Sequence, residues 1–336
     1  MNSVCTRRDA LGAAAAVAVA SVFADAAKCL GREKPANDSS ATDARPESQT
    51  DARSDATDVK SGYIDAHVHV WTDDTEKYPL AKGFAKDDMK PATFTPEELL
   101  AHARPLGVGR IVLIQMSYYG FDNRYMLDAM QAHPGVFSGV AVIDPEDRPA
   151  ATMRALQKQG VRGFRIVSDG KDAAKWLDGE AMAAMWRTGA EEKLAICHLI
   201  NPDALPSVDR MCGRFPDTPV VIDHFARVGM KGKIEEKNLA NLCRLARHKN
   251  TAVKISAFYA LGKKKSPYDD LAAMTRRLFD AFGPKRLMWA TDCPFQVQDG
   301  HTYADSLAFV KDRLDFLSAE DKTWLLRKTA ERVFFS

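Results

Sequence analysis

Two kinds of apolar pattern alternate along the chain from Tyr63 to Ser336. Short runs rich in Val, Ile and aromatic residues read as strands covered on both faces, since a strand with helices above and below need not alternate with polar residues. They are 63–70 (YIDAHVHV), 110–116 (RIVLIQM), 137–143 (FSGVAVI), 161–167 (VRGFRIV), 194–200 (LAICHLI), 219–224 (PVVIDH), 251–256 (TAVKIS) and 286–292 (RLMWATD). Between them lie stretches with apolar residues every three or four positions, the period of a helix packed on one face. One opens at Thr95 with Pro96 in the first helical position, one opens at Asp122, one surrounds MTRRLFDAF (274–282), and AEDKTWLLRKTAERVFF (319–335) closes the chain.

Eight strand and helix alternations in about 270 residues predict a single (β/α)8 TIM barrel over 63–336. A doubly wound open sheet is the competing α/β arrangement, but no strand is followed by a glycine-rich phosphate loop. The first 62 residues lack this alternation. Residues 1–29 have the anatomy of an export signal: the basic pair Arg7-Arg8, an uncharged run from Ala10 to Phe23, and small residues near Ala24 to Ala27. That run is shorter than the roughly 20 apolar residues of a spanning helix, so no integral membrane span is expected in the mature chain. Thr6-Arg7-Arg8 with Leu11 resembles a twin-arginine signal, although Ala10 stands where an aromatic is usual and Gly12 where a lysine is usual; a general secretory signal is the alternative. Either route predicts a periplasmic or envelope location. Cys29 is a candidate lipid-attachment cysteine, against which Lys28 departs from the small residue that processing expects. Residues 30–62 hold Val59 as almost their only large aliphatic residue, too little apolar surface to offset ordering, so they read as a disordered tether.

Composition adds exclusions. With 46% hydrophobic residues the chain can bury a large core, and with 47 basic against 45 acidic side chains its net charge of +2 gives no general field for a polyanion. No nucleic-acid partner is expected; a small-molecule substrate is. Six cysteines without a C-x-x-C pair argue against a thiolate zinc site and a disulfide framework. The sequence is silent on oligomeric state.

Active sites of such barrels form at the C-terminal ends of the strands. On the first strand, alternation places Asp65, His67 and His69 on one face, and two imidazoles two residues apart can grip one metal ion. His198 ends the fifth strand in phase with Leu194 and Ile196. His224 ends the sixth in phase with Val220 and Ile222, and Asp292 ends the eighth in phase with Met288 and Ala290. Of the other histidines, His102 falls within a helix, His133 and His248 near helix ends, and His301 in the loop after the eighth strand. Arg165 and Arg227 are candidates for a bidentate grip on a substrate carboxylate, while Gln115, Tyr118, Tyr119, Asn123 and Arg124 could line the mouth after the second strand. Trp71, Tyr78 and Phe84 could cover the site or pack over the barrel.

Taken together, I-D-A-H-V-H-V-W (64–71), F-D-N-R-Y-M-L-D-A-M (121–130), G-V-R-G-F-R (160–165), V-V-I-D-H-F-A-R (220–227), V-K-I-S (253–256) and M-W-A-T-D-C-P-F (288–295) resemble the amidohydrolase superfamily. The likeness is to its amidohydrolase-related (amidohydrolase 2) branch of TIM-barrel metal-dependent hydrolases, over nearly all of 63–336. The resemblance implies that His67, His69, His198 and Asp292 are metal ligands, with Asp292 also a proton acceptor and His224 a catalytic partner. It implies one divalent metal, zinc by default with manganese or iron as alternatives, because no lysine ends the fourth strand to bridge a second ion. The segments 122–129 and 220–227 look closest to sugar-lactone and dicarboxylate-lactone hydrolases. The expected activity is hydrolysis of a lactone or cyclic ester by metal-activated water; the alternatives are a metal-dependent decarboxylase of an unsaturated acid on the same scaffold, and an exported binding protein that has lost catalysis.

Overall fold

The computed structural model describes residues 61–168 and 172–336. The expected export signal, Cys29 and all but the last two residues of the expected tether lie outside these described residues. Eight strands form one parallel sheet in sequential order: β1 (Tyr63–Val68), β2 (Val108–Ile114), β3 (Phe137–Ala141), β4 (Val161–Val167), β5 (Ala195–Leu199), β6 (Val220–Ile222), β7 (Thr251–Ile255) and β8 (Leu287–Trp289). A helix follows each: α1 (Pro96–Ala103), α2 (Arg124–Ala132), α3 (Pro149–Gln157), α4 (Glu180–Glu192), α5 (Leu205–Arg214), α6 (Glu236–Arg244), α7 (Ala272–Phe282) and α8 (Tyr303–Ala308). The expected barrel is present, nearly closed. No helix among the described residues is long and apolar enough to cross a membrane.

The helix-start signals act as expected at Thr95, whose hydroxyl accepts from Glu98 N while the Glu98 carboxylate accepts from Thr95 N, a reciprocal cap. The second start is displaced. Asn123, rather than Asp122, precedes α2, and Asp122 instead accepts from the backbone and side chain of Arg124. The last segment is a broken helix, with α9 (Ala319–Thr323) and α10 (Thr329–Phe334) joined by a wider π turn at Trp324–Lys328. His248 pairs with Asp209 at 2.7 Å, a structural contact at the end of its helix.

Barrels bury two cores. The inner one joins Ile64, Ala66, Val112, Ile114, Val140, Ala195, Cys197, Val221, Ala252, Met288 and Ala290, with Phe334 of α10 in the same cluster. The outer one lies between strands and helices and takes the opposite strand face, such as Ile111, Phe164, Ile196, Ile222 and Val253. Alternation within each strand therefore says which side chains can meet inside.

The seam between β8 and β1 has short pairing and extra polar closure. Asp292 N donates to His67 O and His69 N to Cys293 O, each at 2.9 Å, and Val68 bridges Cys293. The buried Asp65 carboxylate accepts from Thr291 N at 3.0 Å, Thr291 Oγ1 at 2.6 Å and Tyr303 Oη at 2.7 Å, tying β1, the end of β8 and α8 together.

Candidate active site

Register along β1 slips between Asp65 and Val68: Asp65 pairs with Ile111 and Val68 with Leu113, so three residues advance against two. One extra residue makes a bulge and re-aims the side chains around it. The single face expected for Asp65, His67 and His69 is thereby split. Asp65 goes to the seam, and both imidazoles turn to the barrel mouth beside Asp292.

Their geometry is that of a metal corner. His67 Nε2 and His69 Nε2 are 3.3 Å apart, and each lies 3.4 Å from Asp292 Oδ1. A tetrahedral ion with bonds of about 2.0–2.1 Å needs donor edges of about 3.3–3.4 Å, so these three atoms match three vertices and leave the fourth open. Asp292 Oδ1 has no hydrogen-bond partner among the described residues, although buried. Its other oxygen accepts from Tyr259 Oη at 2.7 Å, which fixes the carboxylate plane. The donor atoms of His67, His224 and Asp292 also gather within 4.8 Å of one another, with His224 Nε2 3.7 Å from Asp292 Oδ2 and unpartnered. The more regular triangle is the one with His69, so His224 is read as facing the centre from the β6 side. Two nitrogens and an oxygen, buried and converging, fit a divalent metal ion.

His224 reaches that position by a route that alternation does not describe. Val220 and Ile222 face the outer core, and Asp223 is extended and inward. From His224 to Arg227 all four residues are left-handed, with φ of 51, 53, 52 and 58°. One left-handed turn thus swings His224 and Arg227 over the mouth, a costly conformation for residues with side chains. Asp292 is left-handed too, at φ 71°. His224 Nδ1 is held by Ser256 Oγ at 2.8 Å.

Behind the donors lies a charged layer in which Arg165 was expected and Lys254 and Asp223 were not. Lys254, fully buried in β7, places Nζ 3.0 Å from Asp223 Oδ1 and 3.2 Å from His67 Nδ1. Asp223 Oδ1 is 3.4 Å from His67 Nδ1 and its Oδ2 3.4 Å from Arg165 Nε. Burial would raise the Asp223 carboxyl, but Lys254, His67 and Arg165 outweigh it and hold it well below the usual range. Burial, assisted by Lys254, keeps His67 neutral by pushing its pKa well below the ordinary value, and burial lowers His224 to about 4. For Asp292 burial also acts upward, yet His224, His69 and His67 keep it below the normal carboxylate range. The Tyr259 phenol is pushed well up, first by burial and then by Asp292, so it remains a donor. Burial and nearby Arg165 bring Arg227 down to about 10; its Nη1 meets Asn201 Oδ1 at 3.5 Å.

Not every expected residue joins this group. His198 has the phase of Leu194 and Ile196, but that is the outer face. Its ring lies among Trp186 and Trp176, with centroids 5.4 and 5.8 Å away, and neither nitrogen has a partner among the described residues. The structure does not bring it to the donors; Cys197 is the inward residue there. Tyr118 is framework: its hydroxyl donates to Asp88 O and its ring packs on Trp71 and Phe84. Asn123 uses both ends of its amide on Val142 backbone, at 2.9 and 3.1 Å, pinning the loop to the end of β3. Gln115 donates to Asp122 O at 2.7 Å, and with Arg165 it lines a cavity of about 330 Å³ at the mouth. Arg124 is an exposed partner of Asp122. Trp71 is buried in the loop after β1, donating to Pro91 O. A larger cavity, about 780 Å³, opens near the starts of β6 and β7, at the barrel end away from the donors, whereas the smaller one lies at the strand C-termini and reaches Arg165, the partner of Asp223, so the mouth is the better site.

The signals for the missed residues were in the sequence. A lysine inside TAVKIS cannot be solvated if the strand is covered on both faces, so it needs a buried anion. Asp223 precedes His224 in the same motif and is the inward member of the pair.

A family model described as Amidohydrolase matches residues 64–335. A 4-sulfomuconolactone hydrolase of Rhizobium radiobacter is 29% identical over 238 residues, covering 70% of this chain and 77% of the relative. An L-fucono-1,5-lactonase of Burkholderia ambifaria is 29% identical over 247 residues, covering 71% and 82%. The crystal structure of an amidohydrolase from Burkholderia multivorans with bound zinc matches with a TM-score of 0.71 at 21% identity, covering 81% of this chain and 99% of that one, a likeness of fold.

Proposed function

The chain belongs to the amidohydrolase family, and from that premise we propose that it hydrolyses a small-molecule lactone or related cyclic ester at one divalent metal ion. The triangle of His67 Nε2, His69 Nε2 and Asp292 Oδ1, with edges of 3.3 and 3.4 Å, is the observation that supports this most directly. The activities of the two lactone-hydrolysing relatives supply the substrate class. Zinc suits the nitrogen-rich tetrahedral corner and is the ion bound in the Burkholderia multivorans neighbour.

His67, His69 and Asp292 hold the ion in this reading, and His198 does not. When bound, the metal lowers the pKa of a water from about 15.7 toward about 7 and polarises the ring carbonyl. Asp292 takes the proton that leaves the attacking water and delivers it to the ring oxygen as the acyl–oxygen bond breaks, so that lactone plus water gives a hydroxy acid. Tyr259 Oη keeps the carboxylate oriented for both transfers. His224 stays neutral at working pH; with Ser256 Oγ donating to Nδ1, its Nε2–H is free to donate to the carbonyl oxygen as negative charge develops there. Arg165 and Arg227 hold an acidic substituent of the substrate. The segment around Arg7-Arg8 supports export of the enzyme, which fractionation of cells producing the full chain would test.

The test is turnover of a panel of lactones by purified protein with and without metal, together with Asp292→Asn. Chelation should abolish ring opening, and the variant should lose about 10³-fold in kcat. Near-normal turnover by metal-loaded Asp292→Asn, or carbon dioxide as the product in place of a hydroxy acid, overturns the proposal.

A further inference from the structure

The cavity at the mouth is built for something other than a polyhydroxylated ring. Gln115, Ser117 and the exposed Lys82 line part of it, but Phe121, Ile143, Ile166, Met182 and Met185 make up its other walls, and of these only the Met thioethers offer even a weak acceptor. A sugar lactone presents several hydroxyls, and each hydroxyl placed against such walls forfeits water without gaining a partner. Phe121 is, among the described residues, the one large apolar side chain left exposed, at 41%, and it belongs to this cavity. Single exposed apolar residues need no explanation, but one that borders an apolar cavity next to a donor cluster is surface that a ligand would cover.

Its charged residues are Lys82, which is exposed, and Arg165, which is buried. Arg165 is 7% exposed, lines the cavity, and has an Nη2 without a hydrogen-bond partner, while its Nε faces Asp223 Oδ2 at 3.4 Å. Asp223 in turn is 3.4 Å from His67 Nδ1, so the guanidinium sits between the apolar walls and the donor triangle. The buried charges around this point are Arg165, Arg227 and Lys254 against Asp223 and Asp292, an excess of one positive before any metal is counted. An anionic group is therefore favoured at Arg165, with an apolar one beyond it. At about 330 Å³ the space is at the small end of ligand sites and suits one substituted ring.

We infer that the preferred ligands are lactone acids bearing an alkyl or aryl substituent, with the acidic group on Arg165 and the substituent in the cavity walled by Met182, Met185, Ile143 and Ile166. The inference rests on the lactonase reading for the ring but not for the cavity, and the two are separated by measuring binding apart from turnover.

Binding to the metal-loaded enzyme is measured by calorimetry with 4-phenylbutanoate and with gluconate, two monoanions that differ in the body attached to the carboxylate. The phenyl acid should bind at least tenfold more tightly. Arg165→Met should weaken it about tenfold, and Met182→Trp, which fills the cavity from a half-buried position, should erase the preference between the two acids. Equal or reversed affinity in the wild type, or a preference unchanged in Met182→Trp, overturns the inference. Turnover is read with a five-membered lactone carboxylate, its phenyl-substituted analogue and a sugar 1,5-lactone. A kcat/KM order led by the phenyl lactone supports both readings, and a sugar lactone in first place overturns the cavity assignment alone. Tight phenyl-acid binding without hydrolysis of any probe supports the cavity and sinks the lactonase.

Discussion

His67 and His69 stand two residues apart, yet the atoms behind their rings differ. His69 Nδ1 meets a backbone carbonyl, Ile114 O at 2.9 Å, so it must donate, and its Nε2 keeps a lone pair for a metal. His67 Nδ1 has a choice between accepting from Lys254 Nζ and donating to Asp223 Oδ1. Only the second leaves Nε2 able to ligate, so Asp223 is the group that selects the useful tautomer. Asp223→Asn removes that acceptor charge at constant volume and leaves Lys254 pressing on the ring; metal affinity, measured by chelator competition, should fall 10- to 100-fold. Unchanged affinity would mean that the bulge alone orients His67. His198 makes an opposite kind of prediction. Burial lowers its pKa to about 3, so as pH falls below about 6.5 the unfolded chain takes up a proton that the folded one refuses, and stability is lost progressively toward pH 3. His198→Leu lacks that loss. Between pH 7 and pH 5 its unfolding free energy, from urea titration, should gain about 2 kcal/mol on the wild type's, and its bound metal should be undiminished. A variant purified without metal would restore His198 to the ligand set.

At the scale of elements, what the sequence concealed is the places where a strand stops obeying its own period. Eight strands, their alternation with helices and the cap at Thr95 were legible because long periodic stretches and capping residues act locally. Asp292 keeps the phase of Met288 and Ala290, both inward. His198 was misplaced because phase says which residues share a face, not which face is inside; two tryptophans packed on its ring settle that, and they come from distant positions. The β1 bulge and the left-handed turn at His224–Arg227 are backbone departures that no side-chain pattern announces, and each aims site residues. Ala226 tests the turn. It is fully buried with φ 52°, where a β-branched side chain crowds the backbone, so Ala226→Val should cost about 2 kcal/mol or more. Activity should fall further than stability does, because His224 and Arg227 lose their common placement. A variant with lowered Tm but wild-type kcat would show that the turn is only packing.

Across the whole molecule the charges nearly cancel, at +2 for the chain, while the positive excess sits under the mouth on buried Arg165, Arg227 and Lys254. The two distributions act at different ranges. A net charge this small gives an anionic lactone little acceleration from a distance, since steering needs a summed field that survives beyond the Debye length of about 10 Å at 0.1 M salt. The buried cations act only after the ligand has displaced water from the cavity, where salt screens them weakly. Capture and retention should therefore both be insensitive to ionic strength. Raising salt from about 50 to about 500 mM should change kcat/KM for a carboxylated lactone by less than about twofold, in contrast to the steep decline of an enzyme that gathers substrate electrostatically. A fall of tenfold or more would place the attraction on exposed groups, and it would implicate Lys82, the exposed lysine that lines the mouth cavity.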